Sequence, residues 1–335
     1  MLTPTRRHLS AALAMAVTLG FLALALRHVS LARLGNILSR ARWNWVAVLC
    51  ALALTDLSIR AWRWRLLLKD AAPGASTWLL FRLEAIGIAL NNILFLRLGE
   101  FARAYLAARE SNAPMLASLS SVAVERALDL AALLALFCWV GSTARDFSYP
   151  GFLRFGFFCL LGVISGLVFL AIAGKPLKPG GSWHEKMSAW PKIRDLASQM
   201  SLGASVLRNP AAAAAAVIGS LGLWMVDALY YWAGAKALRL GSVLGFRRSI
   251  LVLTWSAAGT ALPAAPGAFG TFEDFVKTLL MNFGVSAQQA FAYAFFNHMV
   301  SYVFVTVLGL AFLYREGLNL GEIKTAIGRG RKFAP

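Results

Sequence analysis

Arg97, Glu100 and Arg103 are spaced three residues apart and directly follow an uncharged run, GIALNNILFL. The two guanidinium groups suit a phosphate, because arginine binds phosphate through paired N–H···O bonds and stays charged when partly desolvated. The alternative is an ion-pair ladder at the start of a helix, since Glu100 stands three residues from each arginine.

A second charged group, Glu125, Arg126 and Asp129, lies inside the otherwise apolar stretch SSVAVERALDLAALLALF. Residues 125 and 129 share one helical face, and 126 neighbours 129 at a spacing of three. One hypothesis makes Arg126 part of an anion site that the two carboxylates orient. The other is a self-neutralising cluster that joins helices, and both can hold together.

A third feature is the segment LPAAPGAFGTFED, which predicts a break in a helix. Proline removes a backbone donor and clashes with the preceding turn, while glycine permits tight turns. The break-forming residues are Pro263, Pro266, Gly267 and Gly270. Thr271 and Asp274 form a capping pattern that predicts a new helix at Thr271. Glu273 is then left as a candidate ligand, beside a helix N-terminus that suits an anion.

Asp227, His298 and Tyr302 lie in apolar stretches and are candidates for proton coupling. Ionisable residues inside membrane spans are costly and commonly mark transport pathways. The alternative for His298 and Tyr302, at a spacing of four, is hydrogen bonding between helices.

The composition decides which elements position these groups. Of the 335 residues, 59% are hydrophobic and 14% charged, against about 25% charged in a soluble protein. The mean hydropathy is +0.65. Recurrent apolar runs of about 20 residues predict an all-α polytopic membrane protein, and the alternating segments of a β-barrel are absent from the sequence.

The formal net charge of +18 is interpreted as topology determinants and lipid phosphate contacts rather than nucleic-acid binding. The three cysteines lie in or beside apolar segments, without a CxxC motif or a Cys/His cluster. We therefore expect neither a metal nor a disulfide, and no cofactor.

Six full spans and two interrupted segments are predicted. The spans are 9–26, 43–60, 115–141, 152–173, 210–234 and 289–314. The interrupted segments, 78–109 and 248–283, are interpreted as broken or re-entrant hairpins, because irregular backbone at membrane depth must be buried in protein or line a wet cavity. Each is alternatively a kinked full span.

The whole chain, 1–335, is predicted to be a single membrane domain. The basic loop 174–208, the tail 315–335 and the N-terminal Arg6 and Arg7 are assigned to the cytoplasm by the positive-inside rule, although 27–42 and 235–248 also carry basic residues. Residues 43–141 and 210–314 then enter from opposite sides, with 152–173 as a linking span. This arrangement predicts an inverted repeat with a substrate site at the broken helices.

Motifs for catalysis are absent from the sequence: it has no Gly-rich phosphate loop, HExxH or GxSxG. The polar loops are too short for a soluble catalytic domain. We therefore expect that the chain is not an enzyme.

The stretches RLGEFARAYLAARE, VERALDLAALLAL, LPAAPGAFGTFED and NHMVSYVF together resemble the lysylphosphatidylglycerol synthase transmembrane-region family, also called flippase-like. The family pattern R-x-GE-x-x-R is matched by Arg97, Gly99, Glu100 and Arg103. The pattern P-x-x-PGG-x-G-x-x-E is matched by Pro263, Pro266, Gly267, Gly270 and Glu273. Ala268 replaces the usual second glycine. The resemblance covers about residues 40–315.

The resemblance implies movement of a lipid between leaflets of the bacterial inner membrane. Stand-alone members are associated with aminoacylated phospholipids, polyprenyl-linked glycans and hopanoids. Since the chain ends at RGRKFAP, we expect no synthase activity. The expected partners are membrane lipids, a lipid-synthesis enzyme and a second copy of the chain.

The alternative function is a non-transporting subunit that scaffolds a lipid-modifying or envelope-glycan enzyme. A polar cavity between 97–103, Arg126 and 263–273 favours transport, and a sealed apolar bundle favours the scaffold. For a lipid head group, the candidate binding residues are Arg97, Glu100, Arg103, Glu125, Arg126, Asp129 and Glu273.

The predicted topology can be tested at Ser182, in the basic loop. The variant Ser182→Cys should react with a membrane-impermeant maleimide only after the cells are permeabilised, because basic loops stay in the cytoplasm. Labelling of intact cells would overturn the orientation and the inverted repeat with it.

Overall fold

The structure is a computed structural model that describes residues 19–27, 29–94, 98–143, 150–177, 190–261 and 266–316. These residues form twelve α-helices and two short 3-10 turns, at Ser205–Arg208 and Pro266–Ala268. The helices of the first half are α1 (Leu19–Leu26), α2 (Leu31–Ser39), α3 (Asn44–Leu67), α4 (Thr77–Ile93), α5 (Leu98–Ser111) and α6 (Met115–Thr143). Those of the second half are α7 (Pro150–Leu177), α8 (Pro191–Gly203), α9 (Pro210–Ala237), α10 (Phe246–Ala261), α11 (Thr271–Asn282) and α12 (Ala287–Arg315).

Four helices are long and apolar enough to cross a membrane. They are α3, the Pro150–Ala173 part of α7, α9 and α12, and the bent pair α1 and α2 would add a fifth. Even α3, with 24 residues, is about 36 Å long at 1.5 Å per residue, which exceeds a hydrocarbon core of about 30 Å.

The predicted spans coincide with helices, with two qualifications. The span predicted at 115–141 falls in α6, which has 29 residues but carries Glu125, Arg126 and Asp129 and is not among the four. The span predicted at 9–26 lies outside the described residues except for α1, which has eight residues. The span total predicted from the sequence therefore stays a prediction.

The first interrupted segment is a pair of packed helices, α4 and α5. They approach so closely at Gly99 that a Cβ there would lie 1.9 Å from the carbonyl oxygen of Gly87. The Gly99 N–H donates to Oδ1 of Asn91 at 2.8 Å, which satisfies a free donor at the start of α5. Residues 95–97, including Arg97, lie outside the described part of the chain.

The second interrupted segment contains a break where the proline and glycine pattern predicted one. Helix α10 ends at Ala261 and α11 begins at Thr271. Between them Gly267 and Gly270 have φ angles of 74° and 84°, in the left-handed region that glycine adopts at low cost. Ala268 also has a positive φ, 53°, so its methyl group occupies a conformation that usually favours glycine. Pro263 lies outside the described residues.

The predicted cap of α11 is wrong. The N-cap residue is Gly270, and its N–H donates to Oε2 of Glu273 at 2.7 Å. Thr271 is already inside the helix, and its hydroxyl donates to the carbonyl of Ala268 at 2.9 Å. The helix starts one residue earlier than a Thr271 cap requires, so Glu273, rather than Asp274, falls at the capping position three residues on.

Both halves show the same order: a long helix, a two-helix hairpin and a long helix. This order runs through α3 to α6 and again through α9 to α12, and α3 packs against α9 while α4 packs against α12. The opposite orientation of the two halves in a membrane remains a prediction.

Lys277 of α11 attaches the start of the described chain to this bundle. Its ammonium group donates to the carbonyl oxygens of Leu24, Ala25 and Arg27, at 3.1, 2.9 and 2.8 Å. These carbonyls lie at the C-terminal end of α1, where a cation is stabilising.

The contact between α4 and α12 can be tested at Gly309, where a Cβ would lie 2.2 Å from the carbonyl oxygen of Ala85. Gly309→Leu should destabilise the protein by about 1–3 kcal/mol, because overpacking forces the helices apart. The control is Gly162→Leu on α7, where a Cβ meets no atom within 4 Å. Thermal unfolding in detergent should show a lower midpoint for the first variant alone, and equal midpoints would contradict the contact.

Candidate functional site

Arg103 of α5 lies at the centre of a buried ion network and is 2% exposed. Its guanidinium donates to Glu84 of α4 and to Oε1 of Glu125 of α6 at 3.1 Å. The guanidinium also lies over the ring of Trp64 of α3, 4.7 Å from the centroid. Arg103 therefore joins four helices.

Arg63 of α3 occupies the neighbouring position, with a fully buried side chain. It donates to Asp129 of α6 and to the hydroxyl of Ser220 of α9 at 2.7 Å. Its second terminal nitrogen lies 3.3 Å from Oε1 of Glu125. The carboxylate of Glu125 thus lies between Arg63 and Arg103.

Arg126 is the more accessible arginine of the network, with a side chain 39% exposed. It lies 2.7 Å from Glu125, 3.3 Å from Asp129 and 3.6 Å from Glu100. The interpretation as a self-neutralising cluster therefore describes the geometry of Glu125, Arg126 and Asp129. Head-group binding by these residues, and by Glu100 and Arg103, remains a prediction.

Arg60, one turn before Arg63 on the same helix, extends the network toward the second half of the chain. Its Nε donates to Oδ2 of Asp56 at 2.7 Å. Its terminal nitrogens lie 3.9 Å from Asp129 and 3.7 Å from Asp227 of α9. The guanidinium also lies 5.7 Å from the ring of Trp224. One cation is therefore shared among three carboxylates.

Beside Arg60 is a cavity of about 280 Å³ between α3, α9, α10 and α12, which Ile88 of α4 and Phe272 of α11 also line. The polar groups of its wall are Asp56, Arg60, Trp224, Asp227, Tyr230, Tyr231, Ser256, Thr260, Asn297, His298 and Ser301. Apolar side chains such as Leu57 and Leu253 complete the wall.

The cavity is lined by none of the described residues that were predicted to bind a head group. Phe272, within the predicted segment 263–273, does line it, but Glu100, Arg103 and Arg126 do not. The reason is that Arg103 turns toward Glu84 and Glu125, whereas the polar groups of α3 and α9 face each other across the open space.

Hydrogen bonds fix the polar wall on the side of α9. The Tyr231 hydroxyl lies 2.7 Å from the hydroxyl of Ser256, and Tyr230 donates to the carbonyl of Asn297 at 3.0 Å. The Asn297 amide donates to the carbonyl of Tyr293 at 3.0 Å. These bonds hold the aromatic rings in place, so the shape of the cavity is set by the packing of α9, α10 and α12.

His298 connects the cavity with the second helix break. Its Nδ1 lies 2.6 Å from Oε1 of Glu273, whose other carboxylate oxygen caps α11. Its ring packs between Phe269 and Phe272, with centroid distances of 4.8 and 4.6 Å. Glu273 is 1% exposed, so both its oxygens bind protein groups within the bundle.

Tyr302 brings the two breaks together. Its hydroxyl donates to the carbonyl of Asn92 at the end of α4, at 3.3 Å. The centroids of the Tyr302 and Phe269 rings lie 5.0 Å apart. A Cβ on Gly267 would lie 2.7 Å from the Tyr302 ring. Among the residues predicted for proton coupling, Asp227 and His298 line the cavity. His298 and Tyr302 both bond to other helices, as the alternative expects, and proton coupling stays a prediction.

The sequence analysis did not single out Asp56, Arg60, Arg63 and Glu84. Their presence within apolar helices was visible, since a charged residue at the bilayer centre costs about 2.5–3.5 kcal/mol. The spacing of four between Asp56 and Arg60 was a further indication. The partners of Arg63 could not be inferred, because they lie 62, 66 and 157 residues away along the chain.

The helices and their buried charges define a polytopic α-helical membrane protein. More particularly, the chain belongs to the lysylphosphatidylglycerol synthase transmembrane-region family, whose model matches residues 11–309 of the 335. Membership makes it a membrane protein linked to lipid handling. No curated protein and no solved structure matches it. Within the described residues, no three His, Cys, Asp or Glu side chains are grouped so that they could hold a metal ion.

The network predicts that replacing Arg103 destabilises the protein more than replacing Arg126. Arg103→Met should destabilise the protein by about 3–5 kcal/mol, because it leaves the buried Glu84 carboxylate uncompensated. The control is Arg126→Met, whose side chain is partly exposed and should cost less. Arg103→Met combined with Glu84→Leu should recover part of the loss. Thermal unfolding of purified protein measures all three, and equal midpoints for the single variants would contradict the network.

Proposed function

We propose that this protein moves a phosphate-bearing lipid between the leaflets of the bacterial inner membrane. The observation that carries the proposal is the cavity lined by Arg60, Asp56 and Asp227 among helices of membrane-spanning length. A polar head group crosses hydrocarbon only at a high free-energy cost, and a polar cavity between helices supplies an alternative environment. The acyl chains would stay in lipid.

Arg60 is the proposed contact for the phosphate. Its guanidinium lines the cavity, and a guanidinium matches phosphate oxygens through two parallel bonds. Trp224 and the tyrosine hydroxyls are placed to contact the rest of a head group. No step of this process makes or breaks a covalent bond, so we propose a transporter rather than an enzyme.

The two helix breaks are proposed to be the moving parts. They meet at Tyr302, and His298 links the second break to the cavity wall. Transporters commonly place discontinuous helices at the substrate site, and motion of one half against the other exposes the site to each side in turn. We further propose that both termini and the loop 174–208 face the cytoplasm.

Two neighbouring alanines of α10 allow a test with a matched control. Ala257 lines the cavity, whereas Ala258 is exposed on the surface of the bundle. Ala257→Phe should slow lipid translocation by about tenfold, which corresponds to a barrier raised by about 1.4 kcal/mol, because the ring fills part of the cavity. Ala258→Phe should leave the rate unchanged.

The measurement uses liposomes that contain the purified protein and fluorescent phosphatidylglycerol, phosphatidylethanolamine or polyprenyl phosphate. Reduction of the outer-leaflet label by dithionite reports the rate of translocation. Equal slowing by the two variants would remove the cavity from the pathway. An intact wild-type protein that moves none of these lipids would instead favour the scaffold function.

A further inference from the structure

Among the described residues, the ion network contains more carboxylates than guanidinium groups. Six carboxylates and four guanidinium groups of that part of the chain are joined by successive ion pairs. The carboxylates are Asp56, Glu84, Glu100, Glu125, Asp129 and Asp227, and the guanidinium groups are Arg60, Arg63, Arg103 and Arg126. An excess of buried negative charge is costly in a low-dielectric interior, and protonation of a carboxylate removes it.

The three carboxylates around Arg60 are not equally compensated. Asp56 accepts a hydrogen bond from Arg60 at 2.7 Å, and Asp129 also contacts Arg63 and Arg126. Within the described residues, the ion-pair partner of Asp227 is Arg60 alone, at 3.7 Å, which is longer than a hydrogen bond. Of the three carboxylates around Arg60, Asp227 therefore loses the least electrostatic attraction when it is neutralised.

Asp56 adds a second, independent observation. The residue is 9% exposed, it lines the cavity, and its Oδ1 has no hydrogen-bond partner among the described groups. A buried carboxylate oxygen without a partner costs free energy unless a donor reaches it. The cavity therefore offers this oxygen as an acceptor for a donor group of a bound molecule.

The surroundings of Asp227 supply few competing charges. Each helix packed against α9 presents known groups: Asp56 and Arg60 from α3, Asp129 from α6, and His298 from α12. Helix α10 contributes the hydroxyls of Ser256 and Thr260, and α9 itself contributes Tyr230 and Tyr231. At the start of α9, Arg208 of the adjoining 3-10 turn donates to Ser201. His298 is engaged with Glu273, so Arg60 is the cation that faces Asp227.

We propose that Asp227 is a proton-binding site that controls the access of the lipid phosphate to Arg60. The carboxylate takes one proton from a hydronium ion of the solvent: an O–H bond forms on the carboxylate, one O–H bond of the hydronium breaks, and a water molecule and a neutral carboxylic acid remain. Its attraction for Arg60 is then lost, so the terminal nitrogen Nη2 that faced Asp227 is free to bind phosphate, while Nη1 stays 3.9 Å from Asp129. Release of the proton restores the ion pair and expels the phosphate. The proton and the lipid therefore bind together, a coupling that rests on the function proposed above.

The proton site can be measured without any transport. At neutral pH exposed carboxylates are ionised, since their pKa lies near 4. Infrared spectra of the purified protein should nevertheless contain a carboxylic-acid C=O band that weakens in Asp227→Asn. The control is Asp195→Asn on α8, whose side chain is 60% exposed, and it should leave the band unchanged. A band of equal strength in wild type and Asp227→Asn would overturn the proposal.

The coupling is then measured in the liposome assay with fluorescent phosphatidylglycerol and an imposed pH gradient. The gradient should change the wild-type rate by about tenfold or more, the effect of one proton carried down about one pH unit. Asp227→Asn should lose this dependence, and Asp227→Glu should keep it. If Asp227→Asn does not fold, the wild type and Asp227→Glu are compared instead. Transport rates that do not depend on the pH gradient in either protein would contradict the coupling.

The two proposals fail in different ways. Lipid movement that ignores the pH gradient, together with an unchanged infrared band, overturns the proton site and leaves the translocase standing. A band that depends on Asp227, in a protein that moves no lipid, overturns the translocase and supports the proton site alone.

Discussion

The contact of the Glu125 carboxylate with three arginines is the interaction on which the rest of the structure depends. Glu125 is fully buried and lies 3.3 Å from Arg63, 3.1 Å from Arg103 and 2.7 Å from Arg126. These arginines come from α3, α5 and α6, so one carboxylate positions a long helix, half of a hairpin and its own helix. A buried charge is tolerated only with such partners, because its desolvation costs several kcal/mol. The first hairpin is therefore held by charge as well as by its apolar packing, which includes Ile86 and Leu106.

The second hairpin is held by different means. Glu273 caps α11 through the Gly270 N–H and contacts His298 of α12 with its other oxygen. The aromatic rings of Phe269 and Phe272 enclose that histidine. The backbone groups freed by the break are thus satisfied inside the protein, as irregular backbone at membrane depth requires.

The cavity lies between the ion network and the second helix break. Its α3 wall carries Arg60 and Asp56, which belong to the ion network, and its α12 wall carries His298, which belongs to the second break. Any movement of α12 relative to α3 therefore changes the distance between the two sets of charges. This geometry links the polar interior to the helix breaks and explains why charged residues costly to bury are placed where they are.

Helices α2 and α8 lie in stretches that were predicted to be loops. The sequence by itself determined the class of the protein, its long apolar helices and the position of the break before α11. Those features depend on composition, on apolar run length and on proline and glycine, which act over a few residues. Six of the ten described charged groups of the network were also singled out from the sequence. The cap of α11 was misplaced by one residue, because Thr271 and Gly270 are both plausible N-caps and only the φ angle of Gly270 distinguishes them.

Only the tertiary structure decided which charges meet and which face open space. Arg103 was predicted at a binding edge, yet it is enclosed by Glu84 and Glu125 from two other helices. Arg60 was not singled out, yet it lines the cavity opposite Asp227, which lies on a helix more than 160 residues further along the chain. Local spacing fixes the face of a helix on which a side chain lies. The partner of that side chain depends on how helices distant in sequence pack together, and the sequence pattern does not predict that contact.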